Sequence, residues 1–313
     1  MQSDPTALLK KHGKSFNFAR LFLGRETGIA AARLYSFCRI VDDIADESLD
    51  KALAKKDLAD LSNAINQNQK NHPLIGDFLR LCEEHNIDRK NGVILIQGVS
   101  EDLRFQALET EQEIVQYAFK VAGVVGLMMA PILGAKEDGC PFAVDLGIGM
   151  QLTNIARDVL EDANMDRRYI PGAWVDSLTP KQISLVQKKD RKSVQNAITR
   201  LLELAERYYQ SGLAGLYYLP PRNRPAIAVA AYVYREIGRK LLKQNGEYWK
   251  GRMVVSKSHK ALLAGKALWY LRSREFTDKA LKHDPSLHVH LQTTLANSEY
   301  SPNSNATTVT NAL

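Results

Sequence analysis

The sequence predicts an all-α fold, and three observations carry that reading. Apolar residues recur at helical spacing through most of the chain. Proline and glycine cluster at the breaks between those stretches. No Asn-Gly pair sits between alternating runs, so no hairpin signal is present.

In chain order, residues 30–45 open the pattern, with Leu34, Phe37, Cys38 and Val41 on one side at i, i+3, i+4, i+7 spacing. The Ala/Leu/Lys-rich stretch 53–68 reads as a more exposed helix. Pro73 is a start signal for a helix over 74–85. Helical rhythm continues over 88–106 and 111–133. A strong helix spans 142–162, with Leu146, Met150, Thr153 and Ala156 facing inward, and Pro171-Gly172 stop the element after it. Thr179-Pro180 begin a new stretch, and 193–216 follows with Ala197, Leu201, Leu204, Ala205 and Tyr208 in register. Pro220-Pro221 break the chain before a long helix over 224–248 and another over 256–271. Residues from about Asp284 onward are rich in Ser, Thr and Asn. We therefore expect one domain over 1–283 and a polar, disordered tail over 284–313.

Composition narrows the function classes. Of 313 residues, 45% are hydrophobic and 25% charged, which is ordinary for a globular protein with a sizeable core. The net charge of +7 favours anionic partners: diphosphates, acidic lipid surfaces or nucleic acid. Nucleic acid has only that charge behind it, because the Lys188, Lys189, Arg191, Lys192 cluster reads as a solvated loop, so none is expected as a partner. Three distant cysteines, Cys38, Cys82 and Cys140, form no disulfide framework and point to a reducing, cytoplasmic setting. Residues 1–12 have no signal-peptide pattern. The longest apolar run, 121–133, falls short of the roughly 20 residues a membrane span needs. Any membrane contact is expected to be peripheral, and the oligomeric state is not readable.

Two acidic helices carry the chemistry. In the first, Asp42, Asp43, Asp46 and Glu47 fall within six residues, at i, i+3 and i+4 spacing. Such carboxylates are surface neighbours that repel one another unless cations bind, and hard oxygen ligands suit Mg²⁺. A solvated acidic helix end is the bland alternative, but the cluster continues an apolar, aromatic helix. In the second, Asn154, Asp158 and Asp162 form one stripe at i, i+4, i+8 among apolar neighbours, with Arg157 and Glu161 alongside. Buried carboxylates need partners, either cations or bases such as Arg157. Two such helices facing across a bundle could hold Mg²⁺ and clamp a diphosphate as a leaving group. A di-iron centre would need Glu-x-x-His pairs, which the sequence lacks, and zinc is unsupported.

At these positions the chain resembles the squalene/phytoene synthase family. Residues 35–47 (YSFCRIVDDIADE) look like its first aspartate-rich motif, and 151–171 (QLTNIARDVLEDANMDRRYIP) like its second. The likeness extends to KHGKSF at 11–16, VAGVVGLM at 121–128 and GRMVVSK at 251–257, covering about residues 10–265. Ala156 and the Asn164-Met165-Asp166 loop depart from the usual pattern without removing a ligand position.

The resemblance implies an isoprenoid synthase-type helical bundle with a central cavity, Mg²⁺ (or Mn²⁺ in its place), and head-to-head condensation of two isoprenoid diphosphates through a cyclopropylcarbinyl diphosphate. It implies metal ligation by Asp42, Asp43, Asp46, Asn154, Asp158 and Asp162. Tyr35 and Arg39 would join Asp42, Asp46, Asp158 and Asp162 in catalysis. His12, Lys14, Ser15, Gln151, Arg157, Arg168, Tyr169, Tyr248 and Arg252 would bind substrate. Gly123 and Gly126 suggest either room for a prenyl chain or close helix packing. The segment from Tyr234 to Arg252 looks most like bacterial phytoene synthases, which predicts geranylgeranyl diphosphate as substrate and no NADPH requirement. A C30 enzyme using farnesyl diphosphate, giving presqualene diphosphate, squalene or dehydrosqualene, is the alternative. A cyclase or head-to-tail prenyltransferase would not need the 151–171 block in this form. A non-enzymatic lipid- or partner-binding protein would make both acidic stripes dispensable.

Overall fold

The computed structural model describes Leu9, residues 13–48, 50–273, Phe276 and 282–291. Among the described residues every regular element is helical. The helices are α1 (Lys14–Arg20), α2 (Arg25–Glu47), α3 (Lys51–Asn66), α4 (Gly76–His85), α5 (Lys90–Glu101), α6 (Glu111–Ala118), α7 (Val124–Ile132), α8 (Cys140–Asn164), α9 (Pro180–Ser184), α10 (Lys188–Ala214), α11 (Arg224–Lys243) and α12 (Lys257–Tyr270). Local chemistry sets several starts. Asp50 caps α3 by accepting from the Ala52 and Leu53 amides, and Thr110 and Thr179 form capping boxes with Glu113 and Gln182. Asn86, at φ 54°, closes α4 in the left-handed conformation that asparagine tolerates.

The predicted helix over 111–133 is continuous but not uniform. Its middle, Phe119–Gly123, is a π-helical turn, an insertion often found beside functional sites. Taken together, Glu111–Ile132 is long and apolar enough to cross a membrane, with mean hydropathy 1.4, although the sequence showed no uninterrupted run of that length. In the structure it is a wall of the core, packed on α5 and α8.

α8 is the central helix. α10 lies along it, and α7 and α11 flank it. Its contacts with α7 and with the π-helical turn before α7 depend on two glycines. A Cβ on Gly126 would stand 2.2 Å from the Ala143 carbonyl oxygen, and one on Gly147 would stand 2.3 Å from that of Ala122. These backbones touch, so close helix packing accounts for Gly126. Gly126 and Gly147 also line the central cavity, so the same approach shapes it.

Part of the segment read as a polar tail packs on the domain. Pro285–Leu291 forms a 3-10 turn with Leu287, His288 and Leu291 buried. The Tyr208 hydroxyl donates to the Leu287 carbonyl at 2.8 Å, and Gln116 Nε2 donates to the His290 carbonyl at 3.0 Å. Residues 292–313 lie outside the described part.

Candidate active site

An apolar cavity of about 320 Å³ runs beside α8. Tyr35, Cys38 and Asp42 of α2 and Gln151 and Asn154 of α8 line one end; Ala135, Gly139, Phe142, Gly215 and Leu219 line the other. The lining positions on α8 run from Gly139 at its N-cap to Asn154, about 22 Å at 1.5 Å per residue. α7 contributes Val125 and Met129, and α11 contributes Ala230 and Tyr234. Polar groups thus gather at one end of an otherwise greasy tube.

The acidic residues stand where a helix is least able to tolerate them. Asp42, Asp43, Asp46 and Glu47 occupy the last turns of α2, and Asp158, Glu161 and Asp162 those of α8. Neither helix has a basic residue in its last turn. The negative end of each macrodipole therefore adds to the mutual repulsion of the carboxylates. Burial, and then Asp46 nearby, pushes the Asp42 carboxyl up to about 7. Burial and the Asp158 charge push Asp162 up to about 8. The Oδ1 of Asn154 is buried without a hydrogen-bond partner, while its Nδ2 donates to Gln151 at 3.4 Å. An orphaned carbonyl oxygen beside electrostatically frustrated carboxylates is a donor set that fits a hard divalent cation.

Basic residues partly offset these charges. Arg157 forks onto its neighbour Asp158, with Nε donating at 2.7 Å and Nη2 at 2.5 Å. Arg252 reaches the same carboxylate at 3.1 Å. Gly251, at φ 90°, turns the chain just before it, in a conformation that side chains disfavour. Arg39 pairs with Asp43 one turn along α2.

Other expected site residues are placed differently. Arg168 is buried and donates to the Leu108 and Ile170 carbonyls at 3.0 Å and to Glu109 at 2.5 Å, pinning the 102–109 loop. Tyr169 donates to Asp102 at 2.8 Å. The Tyr248 hydroxyl lies 3.5 Å from the Ile183 carbonyl, and Tyr248 is not among the cavity-lining residues. Ser15 is half-buried in α1, which packs on α11. His12 lies outside the described residues, as does the Lys14 side chain.

Three residues escaped the sequence reading. Arg167 lies between the two acidic helices: its Nη1 is 3.2 Å from Asp46 Oδ1, and its charge also acts on Asp162. Asp102 accepts from the Tyr117 hydroxyl at 2.9 Å as well as from Tyr169, and burial pushes it up to about 6. Phe16 of α1 lines the cavity with its ring 5.1 Å from that of Tyr234. Arg167 could have been suspected from its place beside Arg168. A lone aspartate such as Asp102 carries no sequence signal.

The fold and this site define an isoprenoid synthase-type helical enzyme. The pattern of the family described as squalene/phytoene synthase matches residues 9–259, and the chain belongs to that family. It is 33% identical to a 15-cis-phytoene synthase of Enterobacter agglomerans over 284 residues, covering 87% of this chain and 95% of that protein. With a 15-cis-phytoene synthase of a Paracoccus strain it shares 34% identity over 75% of this chain and 80% of that one. Its structure is similar to a ligand-bound dehydrosqualene synthase, with TM-score 0.75 and 26% identity over 86% of this chain and 95% of that chain. A squalene synthase of Alicyclobacillus acidocaldarius shares the fold, with TM-score 0.68 and 20% identity over 77% and 92% of the respective chains.

Proposed function

We propose that this protein is a phytoene synthase: it condenses two geranylgeranyl diphosphates head to head, through a cyclopropylcarbinyl diphosphate, and needs no NADPH. The observation that carries this reading is the pair of acidic helix ends at the mouth of a long apolar cavity. Asp42, Asp46, Asn154, Asp158 and Asp162, with Asp43 assisting, would hold Mg²⁺, which would neutralise the departing diphosphate. Arg252, Arg157 and Arg167 supply guanidinium forks for phosphate oxygens at the same end. Tyr35 and Gln151 offer polar contacts at the mouth, while the walls exclude water from the carbocation.

The relatives favour the C20 substrate. With carbon–carbon bonds of about 1.5 Å, an extended prenyl chain of four isoprene units spans on the order of 20 Å, and one of three units about 15 Å. The lining along α8 includes the polar end and does not by itself separate the two lengths; the phytoene synthases among the relatives support the longer chain. A C30 reaction is the second reading, supported by the likeness to a dehydrosqualene synthase.

The test is to incubate the purified protein and Mg²⁺ with each diphosphate, with and without NADPH, and identify products by mass. A C40 hydrocarbon formed without NADPH and lost in Asp42→Asn and Asp158→Asn supports the proposal. A C30 product moves it to the second reading, and no product from either substrate rejects both.

We also propose peripheral membrane contact, since substrate and product are both lipids. Leu262 and Trp269 of α12 are 56% and 72% exposed, and Val254 just before it 68%, with Lys257 and Lys266 nearby. Vesicles containing anionic lipid should bind the wild type better than Leu262→Ser/Trp269→Ser. Equal binding would reject this surface.

A further inference from the structure

A second polar centre lies at the other end of α8 from the acidic helices. Asp145 is fully buried and sits nine residues before Asn154, about 14 Å along the axis. His283 Nε2 is 2.8 Å from its Oδ2, and His288 Nε2 is 2.8 Å from its Oδ1. The Ser211 hydroxyl of α10 donates to Oδ2 at 2.5 Å. Burial alone would raise the Asp145 carboxyl, but the two histidines hold it below its ordinary value. The carboxylate is therefore anionic in the core, with both imidazoles turned onto it by the same ring nitrogen.

We propose that Asp145, His283 and His288 form a binding site for a borderline transition-metal cation of the Zn²⁺ type. One atom from each residue can be chosen so that all three lie within 4.8 Å of one another. Around a tetrahedral ion with bonds of 2.0–2.1 Å, ligand atoms stand about 3.3 Å apart, so a small outward shift of each ring admits the cation once each Nε2 proton has moved to Nδ1 or been released to solvent. Two imidazoles and one carboxylate favour Zn²⁺, Co²⁺ or Ni²⁺ over Mg²⁺, which takes oxygen ligands. The centre is thus chemically separable from the acidic helix ends. His283, at 13% side-chain exposure, marks the open side, where water could complete the coordination. His288 Nδ1 is buried without a hydrogen-bond partner. Outer-shell partners are typically worth 10–100-fold in metal affinity, so the site should bind more weakly than one with a complete second shell.

Occupancy would bear on the rest of the molecule. The ligands join α8 to the 282–291 segment across 138 and 143 residues of sequence. His283 packs edge-on against Phe142, with ring centroids 5.2 Å apart, and Phe142 lines the far end of the cavity. A bound cation would clasp this segment to the bundle and stiffen the cavity floor.

The test uses the full chain, stripped with chelator, dialysed, and titrated with Co²⁺ in the presence of excess Mg²⁺. Visible absorption reports coordination by nitrogen and oxygen, and elemental analysis after Zn²⁺ loading gives stoichiometry. One equivalent is expected for the wild type and for Asp42→Asn. His283→Ala and His288→Ala should each bind at least about a hundredfold more weakly, since losing a ligand costs more than losing an outer-shell partner. Circular dichroism checks that each variant keeps its helices, and the more exposed His283→Ala serves if His288→Ala does not fold. If the wild type binds no more Co²⁺ than the double histidine variant, the cluster is a hydrogen-bonded hub only and the proposal fails.

Discussion

Arg252 grips Asp158 across 94 residues of sequence, with Nη2 donating to Oδ2 at 3.1 Å and Nε 3.1 Å from Oδ1. The same carboxylate is held by Arg157, so two guanidiniums converge on one expected metal ligand. Arg157 is largely buried, whereas Arg252 is about half exposed and also lies 3.7 Å from Glu161. Exposed ion pairs contribute at most about 1 kcal/mol, so Arg252→Ala should fold normally. It should raise KM for the diphosphate substrate about tenfold or more, because a charge-assisted contact worth at least about 1.5 kcal/mol is lost. Steady-state kinetics with unchanged KM would reduce Arg252 to a surface ion pair.

Protons and cations should compete at the acidic helix ends. Asp42 and Asp162 ionise at about 7 and 8 rather than at 3.8, because burial and neighbouring carboxylates disfavour their charge. The folded, metal-stripped protein therefore binds more protons than the unfolded chain between about pH 4 and 8. The stabilisation from these groups is fully present below pH 4 and lost as pH rises through 7 and 8. The Tm of stripped protein should fall between pH 6 and 8 on their account, and Mg²⁺ should restore it most at the alkaline end. Calorimetry in two buffers of different ionisation enthalpy should count protons released on Mg²⁺ binding at pH 6.5.

Asp102 should matter for stability. It receives the hydroxyls of Tyr117 and Tyr169, whose rings stack 4.9 Å apart. Asp102→Asn offers one acceptor oxygen where two hydroxyls donate. Leaving a buried donor unsatisfied costs about 1–3 kcal/mol, which urea denaturation would read directly. A Tm equal to wild type would show that the hydroxyls find other partners.

Two glycine substitutions should have opposite signs. Gly126→Ala drives a methyl into the Ala143 backbone, and overpacking of this kind costs about 1–3 kcal/mol. Gly265 lies in α12, and a methyl added there would meet nothing within 4 Å, so Gly265→Ala should stabilise by up to about 1 kcal/mol through helix propensity alone. Thermal unfolding of both variants checks the pair.

Much of the fold was legible because it is written in local periodicity. The predicted helix over 30–45 is the core of Arg25–Glu47, and that over 142–162 lies inside Cys140–Asn164. α1 was missed because seven residues are too few for a periodic pattern to stand out. The π-turn at Phe119–Gly123 was missed because an inserted residue leaves hydrophobicity unchanged.

The sequence by itself determined the helical class, the two acidic motifs and, through their resemblance, the family. These depend on residue type at short spacing, which a linear chain displays. Only the tertiary structure decided that Arg168 and Tyr169 secure the loop carrying Asp102, that Arg167 lies between the acidic helices, and that Arg252 meets Asp158. It alone brought His283 and His288 onto Asp145. Such partners are set by which helix faces pack together, and helix-face packing joins residues a hundred positions apart without leaving any mark on the spacing of either.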